Sequence, residues 1–540
     1  MDGEFEMNDC RISFRHFVVS ILLFAFLLSG ALAVDASPKD DAYHYMKNGV
    51  DDQIYNEWWY FNGIDNDTQF MILYLVSDPE NLTGSRKLQS WAVVLEDGKS
   101  PIIGVRQSRG FGGDFNSPTF DLDQSGFSPS DSSGILIHGS IPKKGTADAP
   151  SSIKWDLDYQ PSLAPWFGIP VQSHIGHLKG DWMKWLVYMP AANVSGSIVV
   201  DNQTLNIDGV GYHDHCWGRW ALNDPTSVWL ETSNPVEGFS ISLAEITGEQ
   251  KNTFMGLKYN DKTVAFSSKQ VKLNVTDFAF DPGTCVVYPA KYEVVAENGE
   301  YRLDLMAKVK KSVPIRLDYQ PPAPSLVVFG QVADLQGVLK EKNGGEYQFD
   351  AAGFTGYSSP LLHPIYGKVG SEKDDLAQVN LSQSNSTQSN LTKTNSTQTN
   401  STQTNSTQTN STQTNSTQTN STQTNSTQTN STQSNSTQSN STPSKIDSPQ
   451  LMLAESADIG AITVMAENQR TGQKKTAKAT SEGWFSLDAD YVDFLAESTA
   501  PWVANNDRIT LSILDGGRTI SRSNLTINLS EEKQEVRFAE

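Results

Sequence analysis

From Asn380 to Asn440 the chain repeats with a period of five, mostly as Asn-Ser-Thr-Gln-Thr, and each repeat opens on an Asn-x-Ser/Thr sequon, thirteen in succession. Such a tract has no apolar face, so it cannot offset the entropy lost on ordering its backbone. It predicts a disordered linker over 376–447 and confines any folded core to the two flanks, about 45–368 and 450–540. In an exported chain each sequon is an acceptor for an N-linked glycan. Further sequons stand at Asn66, Asn81, Asn193, Asn202, Asn274, Asn524 and Asn528.

Both flanks read as β-structure. Short runs of β-branched and aromatic residues, such as Phe70–Val76, Gly196–Val200 and Ser227–Thr232, alternate with Gly, Asn, Asp and Pro turns. Tyr301–Lys308 alternates apolar and polar with period two, as a half-buried strand requires. So many short strands over some 320 residues predict two packed β-barrels or sandwiches, expected at 45–210 and 211–368. The tail, with strand candidates at Ala461–Ala466, Gly483–Leu487 and Arg508–Ile513, suits a small immunoglobulin-like or transthyretin-like β-sandwich over 450–540.

Arg11 and Arg15 precede an uncharged, largely apolar run, Phe17–Ala33, that ends in Ala31-Leu-Ala33. This is the pattern of a signal peptide over 1–33, or of an N-terminal anchor where it is not cleaved. The expected location is therefore secreted or cell-surface, with envelope association open. The net charge of -21 argues against nucleic acid or an anionic membrane surface as partner. Beyond Cys10 only Cys216 and Cys285 remain, and export would permit a bridge between them.

Chemistry concentrates in Gly211-Tyr-His-Asp-His-Cys-Trp-Gly-Arg-Trp220. On a strand, Tyr212, Asp214 and Cys216 share one face, and His213, His215 and Trp217 share the other. A carboxyl facing an apolar interior keeps its proton and becomes a candidate acid for an alkene or carbonyl. Tyr212 could tune Asp214 by hydrogen bonding, and Trp217 or Trp220 could stabilise a carbocation over an indole face. Another reading is a metal held by His213 and His215, which would need a third ligand such as His174 or His177. A bland one is a polar network between barrels. Glu57-Trp-Trp-Tyr-Phe-Asn-Gly63 is the first strand candidate, with Glu57 and Trp59 on one face.

These two motifs together resemble the AttH/hydroxyneurosporene synthase family, which includes the carotenoid 1,2-hydratases and kievitone hydratase and has lipocalin-like Diels–Alderases as relatives. Gly209-Val-Gly-Tyr-His-Asp-His-Cys-Trp-Gly218 carries the match, and Gln331–Gln336 and Ala352–Tyr357 look like the family's closing strands. The resemblance spans about 45–365. It implies two lipocalin-like barrels in tandem with a ligand pocket near their junction. In the carotenoid hydratases the matching Tyr-x-Asp pair is implicated in protonating a C=C bond, which maps onto Tyr212 and Asp214. Those enzymes carry a His-x-Trp pair on the preceding strand, whereas Trp182–Pro190 here has no histidine.

The expected function is an exported hydratase- or cyclase-type enzyme acting on a hydrophobic, isoprenoid-like molecule. Asp214 would be the acid, Tyr212 its orienting partner, and His213 or His215 an assisting base. Trp217, Trp59, Glu57 and Trp220 would line the pocket, and neither a cofactor nor a metal is required. The competing expectation is a non-catalytic lipocalin-like lipid binder, or a cell-surface glycoprotein displayed on a glycosylated stalk.

Overall fold

The computed structural model describes residues 36–46, 54–130, 133–143, 152–176, 180–222, 225–248, 250–318, 325–361, 364–369, 462–488, 502–528 and 533–538. The leader at 1–33 and the sequon-rich linker at 376–447 lie outside the described residues. No helix among the described residues is long and apolar enough to cross a membrane.

The chain is all-β, built on two curled half-barrel sheets in tandem. The first sheet holds β1 (Tyr55–Asp65), β2 (Thr68–Ser77), β3 (Lys87–Glu96), β4 (Ile102–Gln107), β5 (Gly112–Gly113), β6 (Phe120–Leu122), β7 (Ser125–Pro129), β8 (Ile135–Pro142), β9 (Ser152–Pro161), β10 (Trp166–Ser173), β11 (Trp182–Val200) and β12 (Gln203–Arg219). Its order is β4-β3-β2-β1-β12-β11-β9-β8-β7-β6-β5, with β10 on β11. A bridge from Gly104 to Lys143 ties β4 back to the end of β8 and curls the sheet.

The second sheet holds β13 (Thr226–Asn234), β14 (Phe239–Thr247), β15 (Lys251–Tyr259), β16 (Lys262–Phe266), β17 (Val271–Asp281), β18 (Val286–Glu297), β19 (Tyr301–Leu317), β20 (Ser325–Glu341) and β21 (Glu346–Leu361). It runs β16-β15-β14-β13-β21-β20-β19-β18-β17. Two small sheets follow. One joins Trp484–Asp488, Pro364–Lys368 and Gln534–Val536, so a strand from the end of the large region completes it. The other joins Lys474–Lys478, Thr463–Asn468, Arg508–Asp515 and Arg518–Thr526.

The expected boundary at 210/211 falls inside β12. Gly209 and Gly211 continue the strand. A Cβ at Gly211 would lie 2.6 Å from the Asn62 carbonyl oxygen and 2.8 Å from the Tyr159 ring, so the residue is small because its neighbours are close. The first sheet therefore keeps the whole reactive segment up to Arg219.

Strand alternation sorts the aromatic residues into separate cores. Trp59, Phe61, Tyr74, Phe127 and Tyr159 fill the concave interior of the first half-barrel. Leu230, Ile241, Leu257, Tyr292 and Leu303 fill that of the second. A third set joins the two sheets, with Trp58, Tyr60, Trp185, Tyr212 and Trp220 meeting Trp229, Ala244 and Ile246.

Candidate active site

β12 is the wall between two environments. It pairs on one side with β1, placing Trp58 opposite Cys216, Trp59 opposite His215 and Tyr60 opposite Asp214. On the other side β11 places Trp185 opposite Cys216 and Val187 opposite Asp214. Because successive side chains alternate, Tyr212, Asp214 and Cys216 belong to the inter-sheet region, and His213, His215 and Trp217 face the first half-barrel.

A cavity of about 230 Å³ lies on the Asp214 side. Its wall is mainly indole, phenol and aliphatic carbon from both sheets, including Trp58, Tyr60, Trp185, Trp220, Trp229 and Ile246. An engineered apolar cavity of roughly 150 Å³ is large enough to take up benzene. The present space is larger than that.

The Asp214 carboxyl is part of this wall. The Tyr212 hydroxyl and the Trp185 indole N–H both donate to its Oδ2, at 2.9 and 3.0 Å. Burial favours the neutral acid, and these two hydrogen bonds only partly oppose it, so the carboxyl is pushed up to about 6. Burial, and then the neighbouring Asp214, push the Tyr212 phenol well above its ordinary range, so it stays a donor.

A second buried acid stands nearby. Glu231 accepts from Asn62 Nδ2 at 3.0 Å, and the same amide lies 3.4 Å from the Tyr60 hydroxyl. Burial, opposed by the Asn62 bond and reinforced by Asp214, raises the Glu231 carboxyl to about 8. The Trp229 indole N–H, also at the cavity, has no hydrogen-bond partner among the described residues.

The opposite face of β12 has different electrostatics. His215 Nε2 lies 2.9 Å from Glu57 Oε1, and its Nδ1 lies 3.2 Å from Asp41 Oδ1. His213 Nε2 lies 3.0 Å from Asp41 Oδ2, and its Nδ1 lies 3.0 Å from the Tyr60 carbonyl oxygen. The His44 backbone N–H donates to both Glu57 oxygens at 2.9 and 3.2 Å, and the Tyr55 hydroxyl donates to Oε2 at 2.7 Å. Burial alone would raise Asp41 and Glu57. The imidazoles of His213 and His215 for Asp41, and of His215 and His44 for Glu57, outweigh it and hold both carboxyls below their usual range. Burial opposes charge on His215, but Asp41 and Glu57 prevail and raise it.

The expected site residues are thus divided. Asp214, Tyr212 and Trp220 meet at or beside the cavity. His213, His215, Glu57, Trp59 and Trp217 do not line it, because they project from the reverse side of β1 and β12. The assisting base expected in His213 or His215 is consequently separated from Asp214 by the sheet. Met183, two residues before Trp185, lines the cavity. His174 is on an exposed loop with φ of 59°, and His177 lies outside the described residues. Cys216 and Cys285 are both free, which corrects the expected bridge. Cys216 faces the cavity from the first sheet, whereas Cys285 sits in the β17–β18 turn of the second, its Sγ 3.7 Å from the Pro282 oxygen.

Sequence reasoning missed Asp41, His44, Glu231 and the Trp185 bond. A single Glu within Val-Trp-Leu-Glu-Thr carries no motif, although an acid inside an otherwise apolar strand was a visible signal.

No family model matches the chain, and no curated protein matches it. Solved structures similar to this chain include three that cover 61% of it. A candidate AttH from Nitrosomonas europaea shares 16% identity over 97% of its own length, with a TM-score of 0.41. Kievitone hydratase from Nectria haematococca shares 14% over 95%, with a TM-score of 0.41, and CghA shares 11% over 97%, with a TM-score of 0.39.

Proposed function

We propose that this chain is an exported enzyme of hydratase or cyclase type, acting on a hydrophobic, isoprenoid-like molecule bound between the two sheets. The observation that carries the reading is Asp214. It is an acid in an indole-rich cavity wall, held by two neutral donors and raised to about 6. The Tyr-x-Asp resemblance supports the same pair.

In a hydration, the Asp214 O–H gives its proton to one alkene carbon and leaves a carbocation on the other. The faces of Trp58, Trp220 and Trp229 stabilise that charge. Water adds to the cation, and its surplus proton returns to the Asp214 carboxylate, so no strong base is consumed. In a cyclisation the same wall supplies shape and orientation.

Native mass spectrometry of the secreted protein, with extraction of bound lipid, would identify the ligand class. With that ligand, Asp214→Asn is expected to lower turnover by about 10²-fold or more while binding persists. Unchanged turnover would sink the mechanism.

A second reading is a surface glycoprotein that only carries its ligand. The seven sequon asparagines outside the linker, Asn66, Asn81, Asn193, Asn202, Asn274, Asn524 and Asn528, are all exposed, as glycan acceptors must be. Binding without turnover of the extracted molecule would favour it.

A further inference from the structure

We propose that the first half-barrel holds a divalent transition-metal site, of the zinc class, formed by His44 Nδ1, Glu57 Oε1 and His215 Nε2. One donor atom from each of these three residues lies within 4.8 Å of the other two. Glu57 Oε1 is 2.9 Å from His215 Nε2 and 3.4 Å from His44 Nδ1. A tetrahedral zinc with bonds of about 2.0–2.1 Å sets its donors ~3.3 Å apart, so small side-chain shifts would admit the ion. Two imidazoles and one carboxylate form a donor set that leaves a fourth position open.

The surroundings resemble the outer shell of a metal centre. Metal-bound histidines usually turn their second nitrogen toward a carboxylate, and here His215 Nδ1 faces Asp41 Oδ1 at 3.2 Å. Neither of those two buried atoms has a well-formed hydrogen bond, so this part of the cluster is incompletely satisfied. Asp41 is itself met by His213 at 3.0 Å, and Glu57 Oε2 by Tyr55 at 2.7 Å. Ring stacking orients the ligands, with His44 on Trp217 at 3.9 Å and His215 on Trp59 at 4.5 Å. The His44 side chain is 24% exposed and offers the side from which an ion enters. Glu57 and His215 come from adjacent strands and His44 from the segment before β1, so the ion would clasp that segment to the sheet.

This site is on the reverse face of β12 from Asp214 and is independent of the reaction proposed there. The test uses the full secreted chain, stripped by a chelator and titrated with cobalt(II) as a spectroscopic probe, then with zinc. One equivalent of cobalt should develop visible d–d bands, zinc should displace it, and Tm should rise by several degrees. His44→Ala, at a partly exposed position, and the isosteric Glu57→Gln should each weaken cobalt binding by at least tenfold. Absence of bands and of a Tm shift in the wild type would overturn the site. So would bands of equal strength in the His44→Ala, Glu57→Gln double variant, because the ion would then bind elsewhere.

Discussion

The two faces of β12 are one residue apart in sequence and opposite in electrostatics. On one, Asp214 meets only neutral donors among indoles, and its carboxyl rises to about 6. On the other, Asp41 and Glu57 are equally buried but face imidazoles, and both fall. Burial is common to all three acids. The sign of the shift is decided by whether the partner can carry charge. The His213 and His215 imidazoles also act on Asp214 through the sheet, but without a direct hydrogen bond they do not offset its burial.

This contrast can be broken from either side. The largest effect should come from the histidine face. Glu57→Ala removes one carboxylate from a buried charged cluster and should cost about 3–5 kcal/mol in denaturant unfolding. A loss below ~1 kcal/mol would mean that the cluster contributes little.

Next is the cavity side. The Glu231 carboxyl is raised from 4.5 to about 8, so the unfolded chain ionises first and stability falls as pH rises between those values. Glu231→Gln removes that penalty. Its stability relative to wild type should grow from pH 4.5 to about 8 and then level, reaching about 5 kcal/mol. A difference independent of pH would refute the assignment of a neutral buried acid.

The smallest effect is expected for Trp185→Phe, which removes one donor to Asp214 while keeping an aromatic wall. It should cost about 1 kcal/mol by the same unfolding measurement. No change would show that the Tyr212 bond suffices.

The sequence made the all-β class and the split of Tyr212/Asp214 from His213/His215 readable, because period-two alternation is a local property of strands. It did not reveal what each face meets. His213 finds Asp41 across 172 positions, His215 finds Glu57 across 158, and Asn62 finds Glu231 across 169. Those meetings depend on strand register and sheet stacking, which no local pattern encodes. The same limit misplaced Trp59. It shares Glu57's face as expected, but that face belongs to the first half-barrel, and its neighbour Trp58 lines the cavity.

The proposed reaction requires a hydrophobic ligand in the inter-sheet cavity beside Asp214. Native mass spectrometry of the wild-type protein and of Ala244→Trp, which fills the cavity wall, separates the two possibilities, a ligand held there and one bound elsewhere. A ligand in this cavity gives a bound small-molecule mass on the wild type and none on a folded Ala244→Trp protein. An adduct of equal occupancy on both would place the ligand elsewhere and contradict it.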